Sequence, residues 1–150
     1  MANDTISNDT KVTVYYLSYG GLLPFIASVI GFYVLDETYR TFSMLAFITY
    51  AAVIIGFVGA VHWGFLLKEE FINRNLFLGI SVLPGLIGWA ALLTTHQYAL
   101  IIFVVSYPLL FVYEKLTKLN DILPDWYMKM RLKLTMTVTI LVLIMLINVF

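Results

Sequence analysis

The chain has no cysteine, which excludes structural disulfides, thiolate metal sites and cysteine nucleophiles. Charge is also scarce: 12% of the 150 residues are Asp, Glu, Lys or Arg, against about a quarter in a typical soluble domain. Nine cations balance nine acidic residues, so no net field draws the chain toward nucleic acid or an anionic partner. Histidine is confined to His62 and His96, and a catalytic zinc held by three histidines is out of reach. The sequence carries no Gly-rich phosphate loop, no His-Glu-x-x-His helix and no cluster of carboxylates inside an apolar run. No polar stretch is long enough for a soluble catalytic domain. The first ten residues are polar and slightly acidic, unlike the positive leader of a secretory signal, so the first apolar segment is expected to stay as an anchor.

What is present is apolar. Hydrophobic residues make up 61% of the chain and the mean hydropathy is +0.92, which reads as a polytopic membrane protein. Val12 to Leu35 and Thr41 to Leu67 are charge-free for 24 and 27 residues, each long enough to cross a bilayer as a helix. Asn75 to Tyr113 is charge-free for 39 residues; as one helix it would reach roughly 58 Å, about twice the hydrocarbon thickness. Two helices must share it, and Thr94-Thr95-His96-Gln97 is the polar turn between them. Pro124 suits the opening of a last helix, after a polar connection from Leu116 to Leu123.

The expected fold is therefore an all-α, single-domain bundle of five transmembrane helices, over about 12–35, 41–67, 75–93, 98–116 and 125–150. Lys11, Lys68, Arg74, Lys115, Lys118, Lys129, Arg131 and Lys133 then share one face, with Arg40 alone on the other. That bias puts the N-terminus in the cytoplasm and the C-terminus outside. Bends are expected at Pro24, Pro84 and Pro108, where a helix loses a backbone donor. Gly21-Leu-Leu-Pro24 and Ser81-Val-Leu-Pro84 echo one another as parallel halves of a duplication would, although four positions do not establish one.

The second span is expected to be central. Ala52, Gly56, Ala60 and Gly64 recur every four residues, with Gly59 beside them, and form a narrow stripe on which another helix can pack closely. His62 lies about 200° around from Ala60, and an imidazole facing lipid tails is costly, so it should face protein. It has two readings: a proton-accepting or ligand-orienting group, or a donor of one interhelical hydrogen bond. Trp63 is a candidate beside it, with belt or core filler as the plain alternative. Arg131, Thr135 and Thr139 form a polar ridge on the last helix that could meet His62 or Glu114, or join Lys129 and Lys133 around an anionic lipid headgroup. The plain alternative is a snorkelling arginine with threonines bonded to their own helix. Glu69, Glu70 and Glu114 read as solvated partners of neighbouring cations at helix ends. His96 is expected at the opposite face from His62, so neither a haem held by two histidines nor a metal is implied, and no cofactor is expected.

Gly59-Ala-Val-His-Trp-Gly64, Gly21-Leu-Leu-Pro-Phe25, Ser81-Val-Leu-Pro84 with Trp89, and Trp126-Tyr127 followed by Arg131-Leu-Lys-Leu-Thr135 together resemble the transmembrane protein 69-like group, small membrane proteins of bacteria and mitochondria without an established activity. The resemblance covers most of the chain. It implies an inner-membrane address, bacterial or else mitochondrial, and draws attention to His62, Trp63 and Arg131 without giving them a role. The function expected from the sequence is a non-enzymatic accessory or assembly subunit of a larger membrane complex, with a membrane-protein partner or a second copy of itself. The alternative is a carrier or channel for a small solute, a proton or a lipid that uses His62. A membrane-embedded enzyme acting on lipid or quinone is a third reading, signalled by a lateral pocket holding His62 and Arg131 together.

Overall fold

Apolar runs bounded by charge fold as helices, since a backbone without water must satisfy its own hydrogen bonds. The computed structural model describes residues 7–68, 73–117 and 119–149. Glu69, Glu70 and Lys118, which entered the charge reading above, lie outside them. The described residues form α1 (Asn8–Gly20), α2 (Leu23–Val34), α3 (Glu37–Lys68), α4 (Arg74–Ile80), α5 (Leu83–Leu92), α6 (His96–Leu116), α7 (Leu119–Ile122) and α8 (Asp125–Ile147), with no strand among them. Among the described residues, five segments are long and apolar enough to cross a membrane: Asn8–Val34, Glu37–Leu67, Arg74–Leu92, His96–Leu116 and Asp125–Ile147. The chain is an all-α polytopic membrane protein.

The first and third segments are each broken in two. Gly21 and Leu22 separate α1 from α2, and Ser81 and Val82 separate α4 from α5, with φ near −62° and −79° in the first break and −68° and −80° in the second. The sequence echo thus marks a shared local geometry. Pro24 and Pro84 fall in the first turn of the new helix, where a missing N–H costs nothing, so each starts a helix instead of bending one. At the first break the carbonyl of Gly21 accepts the Tyr50 hydroxyl at 2.9 Å, replacing the bond that a continuous helix would supply. Pro108 differs from both, since α6 runs through it unbroken.

Helix α3 is the centre of the bundle, packing against α2, α5 and α6. Its Phe47, Ala51 and Ile55 are buried with Phe25, Ala91, Leu100, Phe103 and Val142 from the helices around it. The Tyr107 hydroxyl donates to the Ala51 carbonyl at 2.8 Å, so even this buried phenol is satisfied.

The small-residue seam between α3 and α5 runs along Ala52, Gly56 and Gly59, facing Ser81, Pro84, Gly85 and Gly88. A Cβ on Gly59 would lie 2.5 Å from the Ser81 carbonyl oxygen, and one on Gly88 would lie 2.7 Å from that of Ala52. Only glycine permits this approach. Ala60 and Gly64, expected in the same stripe, are exposed, and a Cβ on Gly64 would meet nothing within 4 Å. A strict four-residue step turns about 40° around the helix each time, so it leaves the contact face, whereas alternating steps of four and three stay on it.

The connection before α8 is less polar than its composition suggests. Leu119 and Leu123 are buried with Leu66, Phe111 and Met128, so α7 closes one end of the bundle as an apolar cap.

Candidate functional site

Beneath that cap three helices bring charge together. Helices α3 and α6 end at this face and α8 begins there, which places His62, Glu114 and Arg131 at similar depth. His62 Nε2 lies 3.0 Å from Glu114 Oε1, and Arg131 Nη2 donates to the same oxygen at 3.2 Å. Because an ionised carboxylate only accepts, Nε2 carries the imidazole proton. Arg131 Nη1 donates in turn to Thr135 Oγ1 at 3.1 Å. Exposure is 1% for His62, 0% for Glu114 and 5% for Arg131, so water screens none of these contacts.

The arrangement corrects several expectations. Glu114 is fully buried instead of solvated, because it continues the buried face of α6 through Leu100, Phe103, Tyr107 and Leu110. Arg131 does not snorkel; it turns inward to Glu114. Lys129 and Lys133 are exposed, and a step of two residues is about 200° on a helix, so these three cations form no common headgroup surface. Thr139 does not bond back to its own helix: its Oγ1 is buried without a hydrogen-bond partner among the described residues. Trp63 is exposed on the outer side of α3, away from the charged group. His96 opens α6 at the opposite end, roughly 27 Å along the helix from Glu114. Among the described residues no three of His, Asp or Glu are grouped to hold a metal ion.

Beside this group lies a cleft of about 470 Å³ between α1, α3 and α8. Its walls are single helix faces: Val14, Leu17 and Ser18 from α1; Ile54, Phe57, Val58 and Val61 from α3; Trp126, Met130, Arg131, Leu134, Thr135 and Val138 from α8. Along α8 that face extends roughly 18 Å. Leu17 and Phe57 on its walls are exposed, and α1 has no buried residue, so the cleft opens sideways. At its outer end the Tyr15 ring lies tilted against Trp126, with ring centroids 5.8 Å apart. Of the charged group only Arg131 reaches the lining; His62 and Glu114 stand behind it. This cleft therefore does not hold His62 and Arg131 together, the pairing that would have signalled an enzyme.

Three polar atoms of the group are buried without a hydrogen-bond partner among the described residues: His62 Nδ1, Glu114 Oε2 and Arg131 Nε. Sequence reasoning did not find the cleft or the lining role of Trp126. Its one usable signal was the face of α8 shared by Trp126, Met130 and Leu134, at steps of four.

Residues 10–147 match the model of a family described as a protein of unknown function, DUF3429. The chain belongs to the DUF3429 family. The family's description assigns no activity. Transmembrane protein 69 of Xenopus tropicalis is 30% identical over 89 residues, covering 57% of this chain and 34% of that protein. Transmembrane protein 69 of Mus musculus is 28% identical over 91 residues, covering 59% and 37%. The match thus spans little more than a third of these relatives' length. No solved structure matches the DUF3429 chain.

Proposed function

We propose that the protein takes a lipid-soluble molecule sideways from the bilayer into the cleft between α1, α3 and α8 and holds its polar end at Arg131. The observation that carries this reading is a buried cation in the wall of a mainly apolar, laterally open cleft. A small amphiphile needs little else: apolar burial provides affinity, and a few convergent polar groups fix orientation. An ionisable group within a membrane segment also favours function over packing, because its burial is costly. This develops the lipid-carrier alternative, with Arg131 in place of His62 as the contact group. The apolar lining gives no support to passage of a water-soluble solute.

The meeting of three buried ionisable groups weighs against a purely structural accessory subunit. The small residues left exposed on α3, Ala60 and Gly64, favour association with a second membrane protein as the second reading. Extraction in mild detergent tests both. The expected result is a lipid-soluble compound in equimolar amount, lost when Ser18→Trp fills the cleft; extracts of bulk-lipid composition from both proteins would overturn it. A stoichiometric second protein in place of such a compound would favour the second reading.

The cations Lys11, Lys115, Lys129 and Lys133 support a cytoplasmic placement of the capped end. A reporter joined after Phe150 should then be active outside the cytoplasm, and activity only within it would reverse the orientation.

A further inference from the structure

We infer that the ligand of the cleft is a monoanionic amphiphile of the lipid type, and that its binding brings a proton onto His62. The inference rests on the lipid-binding reading above and adds the class of ligand.

Arg131 offers five N–H donors in a planar fork suited to the paired oxygens of an anionic head. One donor serves Glu114 and one serves Thr135, while Nε is buried without a partner in a residue that lines the cleft. The guanidinium therefore has unused donors on a side chain that the ligand can reach. Glu114, in contrast, is held from behind the cleft by His62 through the same Oε1 that meets Arg131. If the carboxylate exchanges part of Arg131 for a ligand, the imidazole remains as its partner.

Charge balance then fixes the rest. With His62 neutral, Glu114 and Arg131 cancel, and an anionic head would leave one uncompensated negative charge in a buried site, which is costly. Among the described residues the other ionisable groups on the elements at this end are Tyr107, Tyr113, Glu114 and Lys115 on α6, Asp125, Tyr127, Lys129, Arg131 and Lys133 on α8, Lys68 on α3, Arg74 on α4, Asp121 on α7 and Asp9, Lys11, Tyr15, Tyr16 and Tyr19 on α1. Phenols are neutral near pH 7, lysines and arginines are already cationic, and Asp9, Asp121 and Asp125 are exposed. Of the side-chain types within reach, imidazole is the one that can take up a proton near neutral pH, and His62 supplies it. The proton goes to Nδ1, the ring nitrogen that has no partner. Protein and ligand together then return to neutrality; a dianion would exceed this balance, and a neutral amphiphile would require no proton.

A free single-chain acid and an anionic phospholipid both present such a head. The test uses the full chain in phosphatidylcholine nanodiscs with decanesulfonate, whose charge is constant with pH, and decanol as its neutral counterpart. Titration calorimetry should show decanesulfonate binding tighter by about tenfold or more, as expected for a charge-assisted contact. Arg131→Gln should remove the difference. Paired buffers of different ionisation enthalpy should register uptake of a proton by the unmodified protein, with affinity rising about tenfold per unit fall in pH, the slope for one proton. His62→Gln should abolish that slope while retaining the preference for the sulfonate.

Phosphatidylglycerol added to the disc competes if the natural ligand is a bilayer phospholipid; competition by added dodecanoate alone assigns it to a free acid. Equal affinity for decanesulfonate and decanol, or binding of the sulfonate by the unmodified protein without proton uptake, overturns this inference and leaves the lipid-binding reading intact. Binding of neither probe overturns that reading instead.

Discussion

Glu114→Ala is expected to cost about 3–5 kcal/mol of folding stability, the range found when one partner of a buried ion pair is removed. The carboxylate is the shared acceptor of His62 and Arg131, so its loss leaves a guanidinium buried with Thr135 as its remaining hydrogen-bond partner among the described residues. The magnitude decides between two accounts of the same geometry. A neutral interhelical hydrogen bond in a membrane averages about 0.6 kcal/mol, so a loss near that value would mean an ordinary packing contact. Replacing both members, Glu114→Leu with Arg131→Met, should recover most of the loss, because a well-packed apolar pair is often as stable as a buried ionic one. Reversible unfolding in mixed detergent, followed by tryptophan fluorescence, measures all three proteins. The double variant should fold well and yet lose the preference for an anionic amphiphile, separating what the group does for stability from what it does for binding.

Gly59→Leu should be the second large effect. Ser81 oxygen stands 2.5 Å and Pro84 Cγ 3.0 Å from where the first side-chain carbon would sit, and a backbone carbonyl cannot swing away as a side chain can. Overpacking by a few methylenes typically costs about 1–3 kcal/mol, and this position belongs at or beyond the upper end, with α5 displaced from α3. Gly88→Leu meets the Ala52 carbonyl in the same way and should behave alike. The control lies on the same helix: Gly64→Ala meets nothing within 4 Å and should be neutral or gain up to about 1 kcal/mol of helix propensity. The same unfolding measurement reads each variant; equal losses at Gly59 and Gly64 would mean that the seam lies elsewhere.

The fold was legible because its signal is coarse. Charge-free runs of bilayer length, Thr94 to Gln97 as a turn and Pro124 as a helix opener require no knowledge of which side of a helix faces which neighbour. The site was legible only in parts, for a reason particular to membranes. In water, apolar residues mark the inward face; here lipid makes the outward face apolar as well, so the contrast disappears. What remains is spacing. Met44, Ile48, Ala51, Ile55, Val58 and His62 advance by fours and threes along α3, as do Met128, Arg131, Thr135, Val138, Val142 and Met145 along α8, and all are buried. Glu114 continues such a row on α6. Read this way, the four polar members, His62, Glu114, Arg131 and Thr135, identify the inward stripes, whereas reading Glu114 by its nearness to Lys115 and the helix end places it in water. Ala60 and Gly64 misled for the opposite reason, since their exact period of four resembles a seam while turning away from it. The cleft depends on how far α1 stands from α3 and α8, which no local pattern encodes.

The contact on which the whole account turns is that between His62 and Glu114. Magic-angle-spinning NMR of the protein in lipid bilayers, with 15N in the imidazoles and 13C in the glutamate carboxyls, reads it directly, because the chain has only two histidines. One imidazole should couple through Nε2 to a carboxyl carbon, as the 3.0 Å contact requires, and Glu114→Gln should remove that carboxyl signal. Two imidazoles uncoupled to any carboxyl and both exchanging freely with water would contradict it.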